Sequence, residues 1–189
     1  KATFFIITAT LSGYIPVAHK NHILLSRLSA DELIDAFNDF AALPENAEYR
    51  KFKIPKDRRI TQKRRYDDTL TANFKETMTI LPHGVKEEFL RQAFENSGLG
   101  ERELCRELFM NEDEIRELSQ NGHFVENHTH RHFSLENESV EGIKEELKTS
   151  QDILKELLGY RPGVISYPFG RISQSALAVL EEQGFTHGV

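Results

Sequence analysis

Residues 122–132 read Gly122-His123-Phe124-Val125-Glu126-Asn127-His128-Thr129-His130-Arg131-His132. A glycine that can end a helix is followed by a short strand, His123 to Glu126, and the strand runs into a cluster of histidines. Working outward, Asn111 and Glu114 stand three apart as a capping box for a preceding helix that carries Ile115 and Leu118. Downstream, from about Ser139 to Leu158, the residues Ile143, Leu147, Ile153, Leu154 and Leu157 recur at helical spacing, and Gly159 closes the run. Gly163-Val164-Ile165-Ser166-Tyr167 is a second strand, broken by Pro168 and Gly170. A further helix carries Ala176, Leu177, Val179 and Leu180, ends at Gly184, and leads into a strand over Phe185–Val189. Alternation of this kind implies parallel strands joined by helices, either an open α/β sheet or a (β/α) barrel. In both, chemistry gathers at the carboxyl ends of the strands. The histidine cluster follows one such end and Tyr167-Pro168-Phe169-Gly170 follows the next.

At the start of the chain, Ala2-Thr3-Phe4-Phe5-Ile6-Ile7-Thr8 is apolar on both parities, as expected of a strand buried on both faces. Parallel strands are expected near residues 2–8, 123–127, 163–167 and 185–189. Between the first strand and Asn111 the patterns are helical. Ser29 with Glu32 forms a capping box ahead of Leu33, Phe37, Phe40 and Ala41, Pro44 stops that helix, and another is expected over Val85–Asn96. This stretch is several times longer than one strand-to-strand crossover. Residues 13–108 are therefore read as a mostly helical insertion within a single partial barrel domain covering residues 1–189. Inside it, Arg50 to Arg65 is strongly basic, a solvated loop or a surface for an anionic partner.

The 189 residues carry a net charge of −6, which argues against general nucleic-acid binding. No apolar run approaches the roughly 18 residues of a membrane-spanning helix. The single Cys105 excludes an internal disulfide and a cysteine-rich zinc site. Any metal must be held by His, Asp or Glu.

His128 and His132, four apart, can face the same way on one helical turn or converge in a tight loop, and neutral imidazole is a common ligand of zinc and similar ions. Taken alone, the spacing also fits a polar exposed loop. Tyr167-Pro168-Phe169-Gly170 is either an ordinary strand-ending turn or one that aims backbone N–H groups at a developing oxyanion. His123 reads as structural, and His187 lies in the last expected strand. Asp67 and Asp68 form an Asp-Asp pair but lack the context of a strand end.

Several blocks, in order, resemble the polysaccharide deacetylases of the NodB-homology type, carbohydrate esterase family four. Lys1-Ala2-Thr3-Phe4-Phe5-Ile6 looks like the family's second barrel strand. Asn111–Leu118 with Gly122–Thr129 looks like its helix and metal-binding segment, His128-Thr129-His130-Arg131-His132 fits its His-[Ser/Thr]-x-x-His motif, and Ile165-Ser166-Tyr167-Pro168-Phe169-Gly170 looks like its third motif. The resemblance covers residues 1–12 and about 109–189. It implies a distorted (β/α) barrel and a divalent metal, zinc before others, bound by one Asp and two His. Carried over, His128 and His132 are the His ligands, Thr129 braces their loop, the Phe169 N–H helps bind the oxyanion, and Tyr167 and Pro168 line the substrate groove. The implied activity is removal of N-acetyl groups from an amino-sugar polysaccharide or oligosaccharide, with an N-acetylated glycan as partner. The alternatives are a non-catalytic carbohydrate-binding relic of the fold and a metal-dependent hydrolase of another amide. The family's first motif, with its two Asp residues, is expected to precede Lys1, and its late motifs, with the catalytic-acid His, to follow Val189. This expectation makes the chain a fragment, inactive by itself. Ser166 stands where many members carry Arg; Arg161 and Arg171 are the candidates to replace it.

Overall fold

The structure, a computed structural model, describes residues 1–136 and 138–189. It divides into two compact units, Lys1–Pro16 with Glu101–Val189, and Val17–Gly100.

The first unit is built on four parallel strands, β1 (Thr3–Ile6), β2 (Phe124–Asn127), β3 (Val164–Ile165) and β4 (His187–Gly188), hydrogen-bonded in the order β1-β2-β3-β4. Each lies inside its expected span. The ladder sets Phe4 beside Val125, Ile6 beside Asn127, and Asn127 beside Ile165. Side chains paired in this way share a face of the sheet. On that face Ile6 and Val125 pack with Ile115 of α6 (Glu112–Gln120) and with Leu154 and Leu157 of α7 (Val140–Leu158). Ile165 packs with Ile143 and Leu147 of α7 and with Ala176, Val179 and Leu180 of α8 (Gln174–Glu182). Neighbouring strands in sequence order, with successive helices on one face, make an arc of a (β/α) barrel rather than a doubly wound sheet, whose strand order reverses.

Local chemistry accounts for the helix ends. Asn111 and Glu114 form the expected capping box of α6, and Ser139 caps α7 through the Gly142 N–H. Gly159 ends α7 in the left-handed conformation, at φ 79°, which glycine adopts without steric cost. A fourth helix, α5 (Glu101–Leu108), also belongs to this unit. The Glu101 carboxylate accepts from the Ile15 N–H at 2.8 Å. The chain therefore leaves the sheet unit and returns to it at one place.

The unit Val17–Gly100 holds α1 (Val17–Arg27), α2 (Ala30–Ala42), α3 (Thr69–Ile80) and α4 (His83–Asn96). Ser29 and Glu32 make the expected capping box of α2. Phe37, Phe74 and Phe89 are fully buried, and the Phe37 and Phe89 rings meet edge to face at 5.1 Å. The basic segment is folded onto this unit. Arg59 donates to the Thr61 and Asp67 carbonyls, Arg64 donates to the Lys75 carbonyl and the Thr79 hydroxyl, and Lys56 pairs with Asp31 and Asp35. Much of its charge is engaged locally.

Candidate functional site

At the carboxyl ends of β1, β2 and β3 the backbone bends sharply. The ladder between β1 and β2 continues past the strands, with the His128 N–H donating to the Ile6 carbonyl, the Thr8 N–H to the Thr129 carbonyl and the Ala9 N–H to the His130 carbonyl. Within that frame residues 128–132 form a tight turn, not a helical one. Thr129 and His132 lie at φ 65° and Phe169 at φ 63°, and these three are the only non-glycine residues with positive φ among the described residues. Each such conformation costs about 1–3 kcal/mol and persists only where its surroundings hold it.

The surroundings do hold it. Asn127 is fully buried at the end of β2; its side-chain Oδ1 accepts from the Thr129 N–H at 2.7 Å and its side-chain Nδ2 donates to Ser150 Oγ on α7 at 2.9 Å. The Thr129 hydroxyl accepts from the His132 N–H at 3.1 Å. Glu146, with a side chain 1% exposed, accepts from the Arg131 N–H and sits 3.3 Å from Arg131 Nε. Asn127, Glu146 and Ser150 escaped the sequence reading. The available signal was a polar side chain at positions whose parity or helical phase is otherwise apolar.

The turn brings His128 and His132 together, with ring centroids 4.8 Å apart and planes at 72°. The His132 ring in turn meets Phe169 edge-on at 4.9 Å. His128 Nδ1 lies 2.8 Å from the Ser166 carbonyl. A carbonyl only accepts, so Nδ1 carries the proton and Nε2 keeps its lone pair. A ligating histidine usually has its ring fixed by such a contact on the other nitrogen. Burial holds the His128 imidazole below its ordinary range, partly opposed by the Ser166 hydrogen bond, and this favours the neutral ligand form. His130 turns away from the pair and shares a 2.9 Å hydrogen bond with Thr8 Oγ1; burial lowers its pKa as well.

The second turn follows β3. Gly170 N–H donates to the Tyr167 carbonyl and Arg171 N–H to the Pro168 carbonyl, so the Phe169 N–H takes no part in the turn's own two bonds. The Phe169 side chain is 57% exposed. Pro168 is buried, and Tyr167 packs against the core between α7 and α8, with its ring directly over Gly188. These two residues hold the turn in place.

Other residues weighed from the sequence have partners of their own. His123 accepts from the Ala2 N–H and meets Phe4 edge to face, and His187 bonds the Thr186 hydroxyl. Arg161 pairs with Asp152, and Arg171 with Glu136 at 3.7 Å. Asp67 pairs with Lys75, while Asp68 caps α3. Among the described residues no group of three or more His, Cys, Asp or Glu gathers as a metal site. The His pair fits a metal as two ligands of a larger set.

Comparison with known proteins places the chain. A model of the polysaccharide deacetylase family matches residues 66–188, and the chain belongs to that family. The matched span starts at Tyr66, inside the stretch read as outside the resemblance, and it omits β1. The chain is 24% identical over 125 residues to YxkH of Bacillus subtilis strain 168, a protein named for this family, covering 66% of this chain and 42% of that one. It is 30% identical over 71 residues to a peptidoglycan-N-acetylglucosamine deacetylase of Bacillus cereus, covering 38% and 26%. It thus spans less than half the length of either relative. Among solved structures, the Streptococcus pyogenes deacetylase PplD in complex with acetate aligns with a TM-score of 0.42 and 22% identity, over 52% of this chain and 47% of that one. A family-four pseudoenzyme from Bacillus anthracis aligns with a TM-score of 0.40 and 12% identity, over 41% and 28%.

Proposed function

We propose that this chain is the histidine-bearing part of a metal-dependent hydrolase that removes N-acetyl groups from an amino-sugar polysaccharide or oligosaccharide. The observation that carries the reading is the His128–His132 pair, held edge to face in a strained turn with the His128 proton fixed on Nδ1 by the Ser166 carbonyl. His128 and His132 would hold the metal, with zinc the first choice for imidazole ligands.

An acetamide is a poor electrophile and water a poor nucleophile. A divalent ion supplies what both lack, polarising a carbonyl and making bound water more acidic. The chain's own residues do the rest that can be assigned. His128 presents the Nε2 lone pair, and the His132 ring lies beside it. The Phe169 N–H, uncommitted to its turn, is the donor for the oxyanion that develops on the acetyl oxygen. The Phe169 ring shields one side of His132. A third ligand, a base for the water proton and an acid for the leaving amine complete such a cycle.

The test is acetate release from N-acetylated oligosaccharides by the complete protein, together with its zinc content. His128→Ala and His132→Ala are expected to lose both. Unchanged acetate release by either variant would remove these residues from the mechanism. Zinc uptake without acetate release from any glycan or other amide would leave a carbohydrate-binding relic of the fold.

A further inference from the structure

A carboxylate that is almost fully enclosed is costly unless every oxygen has a partner. Glu146 is such a group, and its partners are both on Arg131, the residue between His130 and His132. One oxygen accepts the Arg131 backbone N–H and the other faces Nε of the same residue's guanidinium. That guanidinium lies over the Phe133 ring, 4.2 Å from its centroid, which limits its freedom further. Ser150 is four residues along α7, so it lies on the same helix face one turn away. It takes the Asn127 amide, and Asn127 takes the Thr129 N–H. One helix therefore grips the turn at two points, before Thr129 and before His132, the two residues it holds at positive φ.

We infer that Glu146 is a positioning residue, whose buried carboxylate on Arg131 presets the turn so that the His128 and His132 rings are brought together before metal or substrate arrives. The inference rests on the reading of these histidines as metal ligands. The carboxylate itself is required. An amide at this place offers one acceptor to the Arg131 N–H but turns an NH2 group, a donor, toward the guanidinium Nε–H, also a donor.

Zinc affinity of the complete, metal-stripped protein, measured by competition with a chromophoric chelator, decides the matter, with thermal unfolding of each variant recorded alongside. Glu146→Gln is expected to bind zinc about tenfold more weakly and Glu146→Ala about a hundredfold more weakly, the range typical of partners that orient a ligating residue. Both should still unfold cooperatively. If Glu146→Ala does not fold, Glu146→Gln alone decides. Wild-type zinc affinity in Glu146→Gln overturns the inference. His128→Ala is the separate control: if it keeps wild-type affinity, the metal-site reading fails, whatever Glu146 does.

Discussion

Replacing Asn127 by Ala removes one side chain that does two jobs in a fully buried place. Asn127, Thr129 and Ser150 are all 0% exposed. The substitution strips the Thr129 N–H of its acceptor at 2.7 Å and Ser150 Oγ of its donor at 2.9 Å. Ser150 keeps its own bond to the Leu147 carbonyl, so its loss is partial. A buried donor left without a partner costs about 1–3 kcal/mol, and an ordinary lost hydrogen bond about 1 kcal/mol. Together they predict a loss of about 2–4 kcal/mol, a large share of the 5–15 kcal/mol typical of a domain. The assay is native-state amide exchange at Val125 and Ile165, which report on the sheet unit independently of the helical one. Ser150→Ala and the double variant close a cycle, and the coupling between them should exceed about 0.5 kcal/mol. Zinc affinity should fall with stability, because Thr129, the residue whose N–H is released, also carries the hydroxyl that braces His132. A loss below about 0.5 kcal/mol, the level of an ordinary surface substitution, would show that Asn127 does not hold this turn.

Gly188→Ala tests the second turn. The added Cβ would sit 1.7 Å from Tyr167 Oη and 2.2 Å from Cζ, so the ring must leave. A cost of about 1–3 kcal/mol is expected in thermal unfolding, and it should largely vanish in a Tyr167→Ala background; equal costs in both backgrounds would contradict the contact. Asp67 and Asp68 are expected to have no part in metal binding. Their double replacement by Ala should leave zinc content unchanged, and Asp68→Ala should cost about 1 kcal/mol as a lost helix cap. The Thr71 hydroxyl and then its N–H hold the Asp68 carboxyl below the usual range. A carboxyl with a depressed folded-state pKa stabilises above its unfolded pKa of about 3.9. That contribution is lost as the pH falls through the folded value. Acid titration of stability should therefore be shallower in Asp68→Ala, and a curve identical to wild type would argue against the cap.

Where pattern and chemistry agree locally, the sequence is readable. The boxes at Ser29/Glu32 and Asn111/Glu114 mark their helices because a side chain three residues away settles the matter. The strands are readable from β-branched and aromatic runs, and their parallel pairing from the helices between them. Residues 128–132 are a different case. A helical turn and a tight loop both bring positions four apart together, and only tertiary bonds from α7 and β1 select the loop. Positive φ at Thr129, His132 and Phe169 is disfavoured by each residue's own propensity, so no local rule would place it there. The buried polar residues are half-legible. Asn127 shares the parity of Val125, and Glu146 sits beside Leu147 on the buried side of α7, so each is an exception to an apolar pattern. An exception of that kind marks a polar contact without naming its partner.

The placement of strain gives these contacts a common reason. All three disfavoured backbone conformations lie at the ends of β2 and β3, and none lies elsewhere in the described chain. Residues in such conformations revert unless other interactions offset the cost, and the offset here comes from buried polar groups with directional bonds rather than from apolar packing. Apolar contacts tolerate small shifts. A 2.7 Å bond from Asn127 to the Thr129 N–H and a carboxylate fixed on Arg131 do not. Two imidazoles meant to meet one small ion need that directional hold, because ligand distances in a metal site vary by only tenths of an ångström. A solvated histidine loop has no such need and would relax to ordinary dihedrals. The concentration of strain and buried hydrogen bonds on one short turn therefore favours a site that must be preset over a loop that happens to be rich in histidine.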